Sequence, residues 1–280
     1  MHRSLTIALV LLALTPVACD HGEPASFAEG TTMARLQHAG RIRIGVKSDQ
    51  PSLGFRDPAT DRYEGFDIEI ATMIAGELGL DRKQIQFVTT TSAVRERYLV
   101  EDRVDVVVAS YSMNDQRRQV VGQAGPYFVT GQQLLVRRAD RDTISRPGQL
   151  TADRVCSAQG STSIDNWERL FHGRPIAAQT YTDCVRGLLS GTFDGVTTDG
   201  AVLLGYAAQL PTKLAVVGEP FSVDEYGIGY PKGDLALCEF LSQTITAVEH
   251  DGRWDKAFQA TLGRAGVPIP AKPKLQPCRP

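Results

Sequence analysis

The stretch Tyr98-Leu99-Val100-Glu101-Asp102-Arg103-Val104-Asp105-Val106-Val107-Val108 closes a helical pattern, turns, and enters an apolar strand directly after an aspartate. Leu188-Leu189-Ser190-Gly191-Thr192-Phe193-Asp194-Gly195-Val196 repeats that plan further along the chain. Short apolar runs bounded by turn residues read as buried strands. Each of these two delivers polar residues at its carboxyl end: Ser110 and Ser112 after the first, Thr197, Thr198 and Asp199 in the second. Ligands of open α/β sheets bind off the carboxyl ends of the strands. Two units of similar build, each presenting polar groups there, predict a cleft between two lobes.

Working outward, Arg41 to Val46 reads as a strand, Ile68 to Leu78 as a helix with Ile68, Ala71, Ala75 and Leu78 on one face, and Ile85 to Thr89 as a strand. Such alternation predicts an α/β fold with a parallel sheet. The strand-like stretch Gln132 to Val136 is placed to carry the chain into the second lobe, and Gly218 to Val223 to bring it back. The expected division is lobe 1 over 36–131 and 222–280, and lobe 2 over 132–221. A late amphipathic helix has Leu235, Cys238, Leu241, Ile245 and Val248 along one side and Asp234 as its N-cap. Pro268, Pro270, Pro273, Pro277 and Pro280 then keep the last segment extended. Trp167 and Trp254 fall in helical patterns and are expected in the core.

Composition bounds the function. The chain has 280 residues, 42% of them hydrophobic and 22% charged, with 30 Lys plus Arg against 32 Asp plus Glu. Its mean hydropathy is -0.17. These values fit one large or two medium domains and exclude disordered, collagen-like and multi-span membrane classes. A net charge of -2 supplies no field for a polyanion, so no nucleic-acid partner is expected. Arg3 followed by the apolar run Leu5 to Leu14 reads as a signal peptide over residues 1–18, being too short for the about 20 apolar residues a membrane span needs. The five histidines show no metal-ligand spacing, and G-x-S-x-G, H-E-x-x-H and G-x-x-x-x-G-K-[ST] motifs are absent. No catalytic residue, metal or cofactor is therefore expected.

Val17-Ala18-Cys19 resembles the lipobox of bacterial lipoproteins, with Pro16 where that pattern usually has Leu. Five cysteines in an exported chain leave one over after pairing. With Cys19 acylated, Cys156, Cys184, Cys238 and Cys278 form two disulfides in one of three connectivities. Cys156 with Cys184 and Cys238 with Cys278 is the favoured pairing, closing loops worth on the order of 3.5 and 4 kcal/mol in the chain-entropy model. Residues 19–35, rich in Glu, Gly, Ser, Thr and Pro, read as a flexible tether.

Gly65-Phe66-Asp67-Ile68-Glu69-Ile70-Ala71, the stretch Val104 to Arg117, Gln159-Gly160-Ser161-Thr162-Ser163, Thr197-Thr198-Asp199 and Tyr226-Gly227-Ile228-Gly229 together carry a further likeness. Their order and spacing resemble the family 3 extracellular solute-binding proteins of amino-acid ABC transporters, closest to the actinobacterial glutamate-binding lipoproteins. The resemblance runs from about Leu36 to Cys278. It implies a two-lobed, type II periplasmic-binding-protein-like fold that closes over one free amino acid and presents it to a membrane permease. It also implies roles: Arg117 and Thr162 for the ligand's α-carboxylate, Ser110 and Ser112 as further ligand contacts, and Asp199 for the α-ammonium. Lys47, Ser92 and Arg95 fall where members favouring acidic ligands meet the side-chain carboxylate, with Tyr181 bordering that region. Gln50 and Ser92 stand where many relatives stack an aromatic.

Charge leads to the same ligand class. A zwitterion shut between lobes must meet opposite charges or several hydrogen bonds, or cost several kcal/mol. Lys47, Arg95 and Arg117 against Asp199 leave +2, which glutamate or aspartate reduces and glutamine does not. Two unit charges about 4 Å apart interact by roughly 4 kcal/mol at an effective dielectric of 20, enough to favour the acidic ligand. Plainer readings stand beside this: solvated basic faces for Arg95 and Arg117, an exposed Lys47 after its strand, and Asp199 as a helix cap. The expected protein is a monomeric, lipid-anchored, extracytoplasmic binder of glutamate, with aspartate and glutamine as further candidates. A sensing lipoprotein that signals to a membrane receptor, or an exported dehydratase on the same fold, are the alternatives.

Overall fold

In the computed structural model, residues 26–279 are described; the signal peptide, Cys19 and the first part of the tether lie outside the described residues. The alternating pattern resolves into two five-stranded sheets, each with helices on its faces. In lobe 1 the order is β5 (Ile85–Thr89), β1 (Ile42–Val46), β6 (Val106–Val107), β13 (Asp224–Tyr230), β7 (Gly122–Thr130). In lobe 2 it is β10 (Ile176–Ala178), β9 (Val155–Ala158), β11 (Gly195–Asp199), β8 (Gln132–Arg137), β12 (Leu214–Val217). The purely parallel sheet expected from alternation is corrected here. Four strands of each sheet run the same way and one opposes them: β13 lies antiparallel between β6 and β7, and β8 antiparallel between β11 and β12. The antiparallel strands adjoin the crossings between lobes, where the chain enters each sheet without a helix to reverse it.

A small sheet of β2 (Asp49–Gln50), β3 (Gly54–Arg56) and β4 (Tyr63–Glu64) follows β1. It leads into α2 (Phe66–Glu77), whose Ile68, Ala71 and Ala75 are buried, as is Leu78 at its end. The remaining lobe 1 helices are α1 (Thr32–Ala39), α3 (Arg95–Val100), α4 (Asp115–Arg118), α8 (Leu235–His250) and α9 (Arg253–Ala260). Lobe 2 has α5 (Thr162–Phe171), α6 (Tyr181–Ser190) and α7 (Gly200–Gln209).

The tether is shorter than expected among the described residues. Thr31 caps α1, accepting from the Ala34 amide at 3.3 Å, and Met33, Ala34 and Leu36 are buried. The Phe27 ring meets Phe240 edge-on at 5.5 Å, and Thr32 Oγ1 donates to Asp234 Oδ2 at 2.6 Å. Asp234 also accepts from the Leu237 amide at 2.9 Å, capping α8 as its position predicts. Cys238, Leu241, Ile245 and Val248 of α8 are buried, but Leu235 in its first turn is 41% exposed and departs from the stripe. Trp167 and Trp254 are fully buried.

Cys156 is paired with Cys184, joining β9 to α6, and Cys238 with Cys278, joining α8 to the segment after α9. Each bond stays within one lobe, so neither restrains one lobe against the other. The two crossings run side by side: β7 passes into β8 through Gly131, and residues 218–223 return the chain. A Cβ on Gly131 would stand 2.4 Å from the Ser222 carbonyl oxygen, so only glycine allows this approach.

Candidate functional site

The carboxyl ends of β6 and β11 face each other across the junction of the lobes. Between them lies a tight cavity of about 10 Å³. Lobe 1 supplies Ser92, Arg95, Ser110 and Ser112; lobe 2 supplies Thr162, Tyr181 and Asp199 with Ser161, Ser163 and Thr198 beside them. Seven of the nine expected ligand-binding residues thus line one space. Lys47 and Arg117 do not line it directly. Lys47 sits one layer behind, its Nζ donating to Ser92 Oγ at 2.7 Å, and Arg117 lines an adjoining opening of about 300 Å³ toward solvent. A larger hollow of about 550 Å³ over α2 and α9 is lined by Glu64, Glu69, Arg253 and Lys256, which face water.

Local sequence explains how the lobe 1 groups are aimed. Asp67, in the first turn of α2, accepts from the Ser110 amide at 2.7 Å and from Tyr127 Oη at 2.8 Å. This pins Ser110 at φ +43°, a conformation costly for a residue with a Cβ, while its hydroxyl donates to Gln50 Oε1 at 2.8 Å. Burial raises the Asp67 pKa to about 6, opposed by those two hydrogen bonds and by Lys47 and Arg95. On the opposite wall, Ser161 holds the N-cap position of α5 but makes no side-chain cap. Its first-turn amides therefore offer positive ends toward the cavity, an arrangement suited to a carboxylate.

The cations are inside. Lys47 is 3% and Arg95 2% exposed, which corrects the reading of either as a solvated surface charge. Arg95 Nη1 donates to the Ala109 carbonyl at 2.9 Å, while its Nε has no hydrogen-bond partner among the described residues. Arg95 and Arg117 both lie on the Tyr111 ring, at 4.3 and 4.8 Å from its centroid, so one aromatic face system holds both guanidiniums. Burial lowers the Lys47 pKa to about 7, with Arg95 and Arg117 adding to the fall and Asp49 and Glu96 opposing it. Burial likewise lowers Arg117 to about 10, assisted by Arg95.

Asp199 occupies the N-cap position of α7 yet makes no capping hydrogen bond, so its reading as a simple cap is corrected. Its Oδ2 accepts from Tyr226 Oη at 2.6 Å across the lobe junction, and Oδ1 is buried with no hydrogen-bond partner among the described residues. Burial, and then Asp224, raise its pKa to about 8 against the pull of Tyr226, Arg117 and Arg95. A buried acceptor of this kind is matched by an ammonium.

Several groups at the site were not singled out by the sequence. Glu96 Oε1 stands 3.2 Å from Arg117 Nε and 3.8 Å from Arg95 Nε, with its side chain 24% exposed. Counting Glu96 lowers the sum over Lys47, Arg95, Arg117 and Asp199 from +2 to +1. Asp49 Oδ2 accepts from the amides of Tyr181 and Thr182 at 3.1 and 3.3 Å, so a lobe 1 carboxylate caps a lobe 2 helix, and the Asp49 carbonyl accepts from Tyr206 Oη. Gln50, which the resemblance already marks as standing where many relatives stack an aromatic, is fully buried and keeps Nε2 without a hydrogen-bond partner among the described residues. Of the two carboxylates, only Glu96 had a visible signal, lying beside Arg95 in the same helical turn.

The lobes are closed on each other. Arg117 Nη2 reaches the Gly160 carbonyl at 3.3 Å, Ser112 Oγ and Thr162 Oγ1 meet at 3.3 Å, and Thr162 Oγ1 donates to Asp224 Oδ1 at 3.4 Å. Gly160 lies at φ +77°, and a Cβ there would stand 2.8 Å from the Ala93 Cα. Among the described residues no group of three or more His, Cys, Asp or Glu is placed to hold a metal ion, and no helix is long and apolar enough to cross a membrane.

The profile of the bacterial extracellular solute-binding proteins, family 3, matches residues 42–263. The chain is similar to the glutamate-binding protein GluB of Corynebacterium efficiens, 34% identical over 269 residues, covering 92% of this chain and 89% of that protein. It is also similar to the ABC transporter glutamine-binding protein GlnH of Bacillus subtilis, 31% identical over 254 residues, covering 90% and 92%. Among solved structures, an ancestral arginine-binding protein bound to glutamine superposes with a TM-score of 0.74 at 30% identity, covering 80% of this chain and 98% of that one.

Proposed function

The chain belongs to the bacterial extracellular solute-binding proteins of family 3, and from that premise we propose that it captures an acidic α-amino acid, glutamate first, and delivers it to an ABC permease by closing its lobes. The likeness to GluB and GlnH supports an amino-acid ligand. The choice of an acidic one rests on a single observation: Lys47 and Arg95 are buried beside Ser92 at the cavity rather than turned to water. The α-carboxylate meets the amides at the start of α5, the hydroxyls of Ser112 and Thr162, and Arg117, which takes it in place of the Gly160 carbonyl. The α-ammonium meets Asp199 Oδ1. The side-chain carboxylate meets Arg95 Nε and the Lys47–Ser92 pair, with Tyr181 closing that end.

The moving bodies are residues 36–131 with 222–280, and 132–221, turning about the paired crossings. A ligand that touches both walls favours the closed form, a population shift of the usual hinge type. The protein acts as a binder, not a catalyst, since Asp199, the acidic group of the cavity, is engaged by Tyr226 and by the ligand's ammonium. Acylation of Cys19 holds it at the outer face of the cell membrane. The testing experiment is titration calorimetry of residues 20–280 with the common amino acids. A dissociation constant of about micromolar, near -8 kcal/mol, is expected for glutamate. Tighter binding of glutamine would overturn the acidic assignment.

A further inference from the structure

The α4 turn that carries Arg117 has four residues, too few to hold its own geometry. Asn114 caps it by accepting from the Arg117 amide at 2.8 Å, and its own amide donates to Gln123 Oε1 at 3.0 Å. Lys232 Nζ donates to the Gln119 carbonyl at the end of the turn at 2.8 Å, and Glu96 and Tyr111 hold the Arg117 guanidinium; further support comes from the far end of the sequence. Arg118 Nη2 donates to Gln276 Oε1 at 2.6 Å, Gln276 Nε2 donates to Glu225 Oε2 at 2.5 Å, and the Gln276 amide donates to the Gly125 carbonyl at 2.7 Å. One residue thereby ties α4 to β7 and β13. Glu225 in turn accepts the Met113 amide at 2.7 Å through its carbonyl, just ahead of α4, and Arg279 pairs with Asp115 at 3.2 Å.

Residues 267–279 form no helix or strand, so Gln276 needs an external anchor. Two positions later, Cys278 is bonded to Cys238 on α8, and Leu275 and Cys278 pack against the core. We propose that Gln276, seated by the Cys238–Cys278 disulfide, is a positioning residue for ligand binding: it holds the α4 turn so that the Arg117 guanidinium meets the amino acid's carboxylate at hydrogen-bonding geometry. This rests on the amino-acid-binding reading above. Paired hydrogen bonds from Arg to a carboxylate depend on placement within a few tenths of an ångström, so a loosened turn weakens them without removing any group that touches ligand.

The effect has a signature. Arg117 addresses the α-carboxylate that all amino acids share, so loss of Gln276 weakens every ligand by the same factor, whereas damage to the side-chain pocket changes the ratio between ligands. Titrating the purified protein with the twenty common amino acids identifies its two tightest ligands, which then serve as probes. Gln276→Ala is expected to weaken both by about tenfold, with their ratio held within about twofold. In an Arg117→Lys background the same change is expected to cost less than about twofold, because the interaction it supports is already gone. If Gln276→Ala fails to fold, Gln276→Glu, which keeps the acceptor for Arg118 but loses the donor to Glu225, is read in the same way. Unchanged affinity, a shifted ratio between the probes, or an undiminished loss in the Arg117→Lys background each overturns the inference alone. A wild type that binds none of the amino acids overturns the proposed function and this inference with it.

Discussion

Glutamate binding is expected to weaken on both sides of about pH 7.5, because its two ends need oppositely charged partners with perturbed titrations. Lys47 Nζ is buried against Ser92 Oγ with its pKa lowered to about 7, facing Arg95, Arg117, Asp49 and Glu96. Asp199 is buried with its pKa raised to about 8, facing Asp224, Tyr226, Arg117 and Arg95. The side-chain carboxylate requires charged Lys47, so as pH rises past about 7 the protein must take up a proton to bind and affinity drops. The α-ammonium requires charged Asp199, so as pH falls below about 8 a proton must be released and affinity drops again. Treating the two as independent, both are charged in about 6% of molecules at pH 7.5 and about 1% at pH 6 or 9, so affinity falls about sixfold at either end. Calorimetry at these pH values, in buffers of different ionisation enthalpy, is expected to count protons released at pH 6 and taken up at pH 9. Lys47→Met should weaken glutamate overall and abolish the alkaline limb only. Glutamate affinity constant within about twofold from pH 6 to 9, or an alkaline limb that survives Lys47→Met, would refute the reasoning.

Three further outcomes follow from the site. Glu96→Gln removes the carboxylate beside Arg117 and Arg95 and is expected to tighten glutamate by about tenfold; titration showing no gain would mean that Glu96 does not offset the cationic cluster. Arg95→Met keeps volume but loses the buried charge, so the preference for glutamate over glutamine should narrow by about tenfold or more, and an unchanged preference removes Arg95 from the side-chain contacts. Gly160→Ala places a methyl against the Ala93 backbone at the lobe junction, so solution scattering with saturating glutamate should show incomplete closure and affinity should fall by about tenfold or more; full closure at wild-type affinity would show that this junction is not rigid.

What the residues alone settle is what local physics controls. An apolar run followed by Ser110 and Ser112, its echo ending in Thr197, Thr198 and Asp199, and Asp234 ahead of an amphipathic stripe are legible because strand period and capping act over a few neighbours. The expectation of two lobes and the Ser110, Ser112, Thr198 and Asp199 part of the cavity lining came from these, while the family likeness supplied Ser92, Arg95, Thr162 and Tyr181 and the roles that spacing does not carry. The antiparallel strands, the folded residues before Leu36, the position of Lys47 behind Ser92, and the partners of Arg117 were decided in three dimensions. Asp49 caps a helix 132 residues away, and Gln276 meets Arg118 across 158. Which carboxylate neutralises which guanidinium depends on burial and on distances set by the packing of whole lobes, and neither quantity is a property of a local window. The residue types for a zwitterion site are therefore inscribed in the chain, while its net charge and the placement of its arginine exist only once the lobes have packed.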